Sequence, residues 1–195
     1  MNYMNYIEVG GTIVQIGAFD GVAHEDFGLR ELIFTNELNC HLIEPQENEF
    51  EKLKQNYHGA QSNINFHNVA IYTKDGTMEF KILGAMSSFV DTQFFSERSD
   101  WTKTTVKTKL LKTFVQENNI TEINGLFIDV EGVEDVVFNQ LFEDTSIRPD
   151  VIRYEWYHVK DKEKLENYIN QNGYTIYPCD FSQFDKICVR NDLIK

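Results

Sequence analysis

Short apolar runs closed by glycine, proline or acidic residues recur along the chain. They alternate with stretches whose apolar positions return every three or four residues. The first run, Thr12-Ile-Val-Gln-Ile16, is β-branched and predicts a strand buried on both faces. Further strands are predicted over 39–44, 64–71, 125–130 and 151–156, and two closing strands over 174–179 and 186–190. Between them, Leu29, Leu32 and Ile33 mark a helix over about 25–36, with two acidic residues in its first turn. Phe50, Leu53 and Tyr57 mark one over 47–57. Leu110, Leu111, Phe114 and Val115 mark one ending at Asn118-Asn119, and Val137 and Leu141 one over 133–142. A last helix over 161–172 is closed by Gly173. After a turn at Lys74-Asp75-Gly76, residues 77–83 alternate and predict a hairpin arm pairing back on the third strand. Residues 84–100, with Ser87-Ser88 and Phe94-Phe95, are the least regular part of the chain, and 104–108 reads as a short extended piece.

Strand and helix alternate five times, which predicts a mainly parallel sheet with helices on both faces. The two closing strands are joined by only a short loop, so the last must run antiparallel. One domain over 1–195 is expected, with a lead-in over 1–11 and a hairpin-and-loop insertion over 77–108.

Composition narrows the function classes. An apolar fraction of 42% and only three prolines argue for a packed core. The net charge of −13 disfavours a nucleic-acid partner, because phosphate binding needs basic clusters. Cys40, Cys179 and Cys188 are widely spaced in apolar runs and read as buried small hydrophobes in a reducing compartment. No membrane partner is expected, and without a signal-like start a cytoplasmic location is.

The chemistry gathers at the carboxyl ends of the strands, where open α/β sheets bind ligands. The first strand breaks into Gly17-Ala-Phe-Asp-Gly21, a turn whose glycines can take positive φ and leave the backbone approachable. Glu44 ends the next strand 23 residues past Gly21, the place of a carboxylate that accepts from both hydroxyls of a ribose. A dinucleotide fingerprint needs a middle glycine where Phe19 stands, and no glycine follows until Gly28, so a nucleoside without phosphates fits better than NAD.

A set of short motifs then acquires meaning together. Val-Gln-Ile-Gly-Ala-Phe-Asp-Gly, Ile43-Glu-Pro45 leading to Leu53-Lys-Gln-Asn-Tyr57, Asn68-Val-Ala70, Ser87-Ser88, Phe127-Ile-Asp-Val-Glu-Gly-Val-Glu134 and Ile152-Arg-Tyr-Glu155 resemble the FkbM-type S-adenosylmethionine-dependent methyltransferases. The resemblance implies a class I methyltransferase fold. That is a Rossmann-like three-layer α/β sandwich with a mostly parallel seven-stranded sheet and an antiparallel last strand. It implies S-adenosylmethionine as cofactor and methyl transfer to oxygen, often a hydroxyl of a sugar or natural product. Gly17, Ala18, Asp20 and Gly21 would line its methionine part and Glu44 would take its ribose, with Phe19 and Pro45 in the same cofactor site. Asn68 and Ala70 would border the adenine, and Ser87 and Ser88 belong to the same site. Phe19 departs from the family, which commonly has Asn in the turn.

Asp129, Glu131, Glu155 and His158 stand where a base for the acceptor hydroxyl is needed. Crowded carboxylates can raise one another's pKa toward neutrality or hold a hard divalent cation; no metal is assigned. Glu131-Gly132 can instead cap the following helix, and His24 and His158 can be surface residues. Tyr154, Trp156 and Tyr157 are candidate sugar-stacking rings or core. The expected partner is a small hydroxylated acceptor. A cofactor-binding module without turnover is the alternative, and an amino-methylating nucleic-acid enzyme lacks its Pro-Pro motif at Asp129-Val-Glu-Gly132.

Overall fold

The computed structural model describes residues 3–22, 28–91, 95 and 97–194. A seven-stranded sheet forms its centre. Its strands are β1 (Thr12–Ile16), β2 (Asn39–Ile43), β3 (Asn63–His67), β7 (Gly125–Ile128), β8 (Val151–Glu155), β9 (Tyr174–Pro178) and β10 (Asp185–Arg190). They lie in the order β3-β2-β1-β7-β8-β10-β9. The first five are parallel, and β10 runs antiparallel to both β8 and β9, as the short closing loop requires.

The helices are α1 (Leu29–Thr35), α2 (Glu47–Asn56), α3 (Leu111–Glu117), α4 (Glu134–Asp144) and α5 (Lys162–Gln171). Leu29, Ile33, Leu53 and Tyr57 from α1 and the α2 end pack on one sheet face with Ile13, Cys40 and Leu42. Phe114, Val137, Phe138, Leu141 and Ile169 pack on the other with Val14, Leu126 and Ile152. Alternate residues of the same strands feed the two clusters, the period expected of strands covered on both faces. All three cysteines are buried and free, and burial pushes the Cys40 thiol up to about 12. The predicted start of the first helix and His24 lie outside the described residues, as does Phe94.

The predicted third strand is in fact two. After β3, Asn68 breaks the run by donating its side-chain amide to the carbonyls of Glu44 and Pro45 at 3.1 and 3.2 Å. β4 (Ala70–Ile71) then leaves the main sheet. It joins a second sheet of order β4-β6-β5, built with β5 (Gly76–Ile82) and β6 (Thr102–Lys109). The arm β5 therefore pairs with β6 and not back on the third strand: β6 lies between β5 and β4. β6 is also longer than the short extended piece predicted. Its Thr/Lys alternation carries few apolar residues because one of its faces is solvated.

Candidate active site

Strand order reverses between β1 and β7, and the carboxyl ends of these two strands open into one cavity. After β1, the amides of Gly17 and Ala18 both donate to the Ile43 carbonyl, at 3.0 and 2.9 Å, which bends the turn toward the end of β2. Gly17 has φ +84°, and a Cβ there would land on the Asp129 carbonyl oxygen. A Cβ on Gly21 (φ +72°) would press into the Tyr57 ring and to within 2.7 Å of Leu53. Both glycines line the cavity with their backbone, while the place of their side chains is filled by neighbouring elements. Their missing side chains let β7 and α2 approach the turn.

Phe19 also lies in the left-handed region, at φ 47°. That conformation costs a non-glycine residue roughly 1–2 kcal/mol. Glu44 holds it there. This carboxylate is 3% exposed; its Oε2 accepts from the Phe19 amide at 2.9 Å and its Oε1 from the Gln46 amide at 2.8 Å. Burial raises the Glu44 pKa to about 7, against the pull of those two amides.

The exit of β7 repeats the device. Glu131 has φ 56° and Gly132 φ 98°. Beneath them Glu134, fully buried, accepts from the amides of Val130 at 3.2 Å and Gly132 at 3.1 Å. Burial and the nearby Glu155 charge push Glu134 up to about 7. The residue that braces the turn before α4 is therefore Glu134, and Glu131 is free of that duty: its side chain turns toward His158. The Nδ1 of His158 lies 2.8 Å from a carboxylate oxygen of Glu131 and 2.8 Å from one of Glu155. Burial works against charge on His158, but the two carboxylates outweigh it and raise the imidazole to about 10. Burial pushes Glu155 up as well, opposed by the same imidazole. The three groups behave as one unit, an imidazolium between two carboxylates. They also offer ligand atoms within 4.8 Å of one another, a spacing that could hold a metal ion.

The cavity wall runs from the Gly17–Phe19 backbone and Gly21 past Glu44, Pro45 and Gln46 to Ala70 and Ser87, and across to Asp129, Glu131 and Glu155. Four other candidate residues stand behind it. Asp20 accepts from the Val22 amide with its side chain, and Asn68 clamps the chain after β2. Ser88 donates to the Glu131 carbonyl at 2.8 Å, and His158 backs Glu131 and Glu155 instead of lying on an exposed turn. The segment 84–89 lines the cavity with Ala85, Ser87 and Phe89; Gln46 reaches its Gly84 carbonyl, and its Ser88 donates to the Glu131 carbonyl.

Four polar wall residues, Gln15, Gln46, Arg153 and Asp185, were not anticipated. Gln46 follows Pro45, and Arg153 alternates with Glu155 on β8, so strand periodicity alone could have found Arg153. Its partner Asp185, at 2.8 Å, comes from β10, and no local pattern links the two. Of the three proposed stacking rings, Tyr154 is core, fully buried against Phe138 with centroids 5.1 Å apart.

The sequence matches the methyltransferase FkbM domain over residues 15–178. The chain belongs to the FkbM methyltransferase family. Its fold is that of the class I methyltransferases. Over 95% of its length it superposes on 69% of the Methanococcus jannaschii fibrillarin pre-rRNA processing protein, at 12% identity and TM-score 0.51. It matches a putative rRNA methylase from Clostridium thermocellum at 10% identity and TM-score 0.52, covering 96% of this chain and 89% of that one. Precorrin-6y C5,15-methyltransferase from Geobacter metallireducens GS-15 gives 9% identity and TM-score 0.51, covering 96% and 86%. No curated protein matches the sequence. Among the described residues no helix is long and apolar enough to cross a membrane.

Proposed function

We propose that this FkbM methyltransferase moves a methyl group from S-adenosylmethionine to a hydroxyl oxygen of a small acceptor, of the sugar or glycan-related class. One observation carries the reading: a single cavity joins the Gly17–Gly21 turn and Glu44 on one side to Asp129, Glu131 and Glu155 on the other.

The donor set fits the cofactor. Gln15, on the wall beside the turn, has a buried Oε1 without a hydrogen-bond partner among the described residues, an acceptor waiting for an N–H such as an amino-acid ammonium. Gly17, Ala18 and Phe19 would hold the methionine part. Glu44 has lone pairs left beyond its two amide bonds for ribose hydroxyls. Pro45, Ala70 and Ser87 would border the adenine. When bound, S-adenosylmethionine supplies an electrophilic methyl group.

The chain's own part is positioning and proton transfer. Holding an acceptor oxygen close and in line supplies much of the acceleration in a displacement. A carboxylate within hydrogen-bond reach can take the hydroxyl proton, and burial brings Glu155 toward the range where it can do so near neutral pH. Asp129 and Glu131 are the neighbouring acceptors, and His158 keeps Glu131 and Glu155 together without their mutual repulsion forcing them apart. An acceptor carrying many phosphates, such as RNA, suits this wall poorly, because five carboxylates line the cavity (Glu44, Asp129, Glu131, Glu155 and Asp185) against one arginine, Arg153, which is already paired with Asp185.

Labelled methyl transfer to a panel of sugars, phenols and amines tests the proposal. Incorporation into a hydroxylated acceptor, reduced about 100-fold or more by Glu155→Gln, is expected. Transfer confined to amines, or undiminished in the Glu155 variant, would contradict it.

A further inference from the structure

Strongly exposed large apolar side chains are few among the described residues, and three of the six are aromatic: Tyr157, Phe181 and Phe184, at 42%, 47% and 40% exposure. A lone exposed ring needs no explanation, but clustered rings beside a cleft mark a binding surface. Tyr157 follows β8, and its ring meets Phe184 edge-on at 5.2 Å and His158 edge-on at 4.9 Å. The amides of Trp156 and Tyr157 donate to the Phe184 carbonyl at 2.7 and 3.1 Å, which fastens the loop 179–184 to the end of β8. That loop also carries Phe181. The residue after Phe184 is Asp185, whose carboxylate is already on the cavity wall. The rings are thus tied to the wall twice, through Asp185 in sequence and through His158, the partner of Glu131 and Glu155, in space.

Trp156 is not part of this surface. The ammonium groups of Lys162 and Lys186 lie over its ring, 4.0 and 4.7 Å from the centroid, while Lys162 stands farther from the Tyr157 ring, at 5.7 Å.

The chemistry of the two adjoining surfaces defines what spans them. Flat apolar faces receive a ring that is itself apolar on one face. Carboxylates beyond them accept hydrogen bonds from hydroxyls and repel anions. A neutral pyranose answers both demands, and a nucleotide fails the second. We propose that Tyr157 and Phe184 are the acceptor platform, on which a pyranose ring stacks so that one hydroxyl enters the cavity toward Glu131 and Glu155. The inference rests on the methyl-transfer reading above and adds to it the acceptor's ring class and the residues that select it.

The probes are the methyl glycosides of glucose, galactose and mannose, with adenosine monophosphate as the competing class. Each is added to the protein loaded with S-adenosylhomocysteine and followed by saturation-transfer NMR. The expected result is saturation of the ring protons of at least one glycoside. Binding should be about tenfold weaker in the Tyr157→Ala/Phe184→Ala double variant and restored in Tyr157→Phe/Phe184→Tyr, with little signal from the nucleotide. These side chains are exposed, so the variants should fold, and an affinity for S-adenosylhomocysteine within about twofold of the parent verifies it. If the loaded protein binds no glycoside, binds one equally well without the two rings, or prefers the nucleotide, the platform is wrong while the methyl-transfer reading stands. If S-adenosylhomocysteine itself does not bind, that reading falls and takes the platform with it.

Discussion

The exits of β1 and β7 are two versions of one design, and their difference matches the two tasks proposed for the site. At each, a non-glycine residue is forced left-handed, Phe19 at φ 47° and Glu131 at φ 56°. At each, a buried glutamate accepts two backbone amides, Glu44 from Phe19 and Gln46, Glu134 from Val130 and Gly132. Burial raises both glutamates to about 7. What differs is the strained residue. At β1 its backbone amide is what the glutamate binds, and the turn presents mainly backbone to the cavity. At β7 the strained residue is a carboxylate that reaches an imidazole and a second carboxylate. Strain at functional sites persists only where the surroundings over-determine it. Here the same brace yields a rigid backbone cradle on one side and an ionisable cluster on the other.

The largest effect should come from breaking the contact between the two exits. Gly17→Ala puts a methyl group on the Asp129 carbonyl at a φ that alanine resists, and should destabilise the fold by about 3 kcal/mol or more, read as a shift of the urea midpoint. A loss under about 1 kcal/mol would mean that the exits are not packed as described.

His158→Asn probes the ionisable side alone. It removes the cation between Glu131 and Glu155, and turnover should fall about 100-fold while affinity for S-adenosylhomocysteine stays within about twofold. Equal losses in both would show that the β7 exit shapes the cofactor site too.

Glu44→Gln sharpens the comparison through pH. A glutamate whose pKa is higher folded than unfolded contributes stability that is fully present below about 4.5 and lost as pH rises through about 7. Glu44 and Glu134 both follow this sign, so urea midpoints of the ligand-free protein should decline between those values. Glu44→Gln should flatten part of the decline and weaken cofactor binding by about 1–3 kcal/mol. An unchanged pH profile would show that Glu44 is already ionised at low pH.

Phe19→Asn gives the smallest effect. Asparagine tolerates the left-handed region better than phenylalanine, so the variant should gain up to about 1 kcal/mol in thermal unfolding with its turn intact. A loss would mean that the Phe19 ring contributes more by packing than its backbone surrenders in strain.

Much of this could be read along the chain, and what could not has physical reasons. The buried parallel strands announce themselves as continuous apolar runs, and the alternation with helices then orders them. The short strand β4 was hidden because it continues the apolar pattern of β3 across Asn68, and only the Asn68 side chain, bonded to Glu44 and Pro45, shows the break. Glu44, Asp129, Glu131 and Glu155 could be placed because each ends a strand, where polarity interrupts an apolar run. Glu134 could not. Its position in the first turn of α4 reads as an ordinary helix-start acid, and its burial beneath the β7 exit is a tertiary fact. The pairs Arg153–Asp185 and Tyr157–Phe184 join elements about thirty residues apart, and single-chain periodicity carries no information about such partners.

On the proposed function, the β1 exit, with Glu44 beneath it, is a cradle for a nucleoside sulfonium and not for a dinucleotide. Calorimetric titration with S-adenosylmethionine, S-adenosylhomocysteine and NAD, on the parent and on Glu44→Ala, tests it most directly. Saturable binding of both sulfur compounds, weakened by about 1–3 kcal/mol in the variant, and no binding of NAD are expected. NAD binding, or an affinity for the sulfur compounds that ignores Glu44, would contradict it.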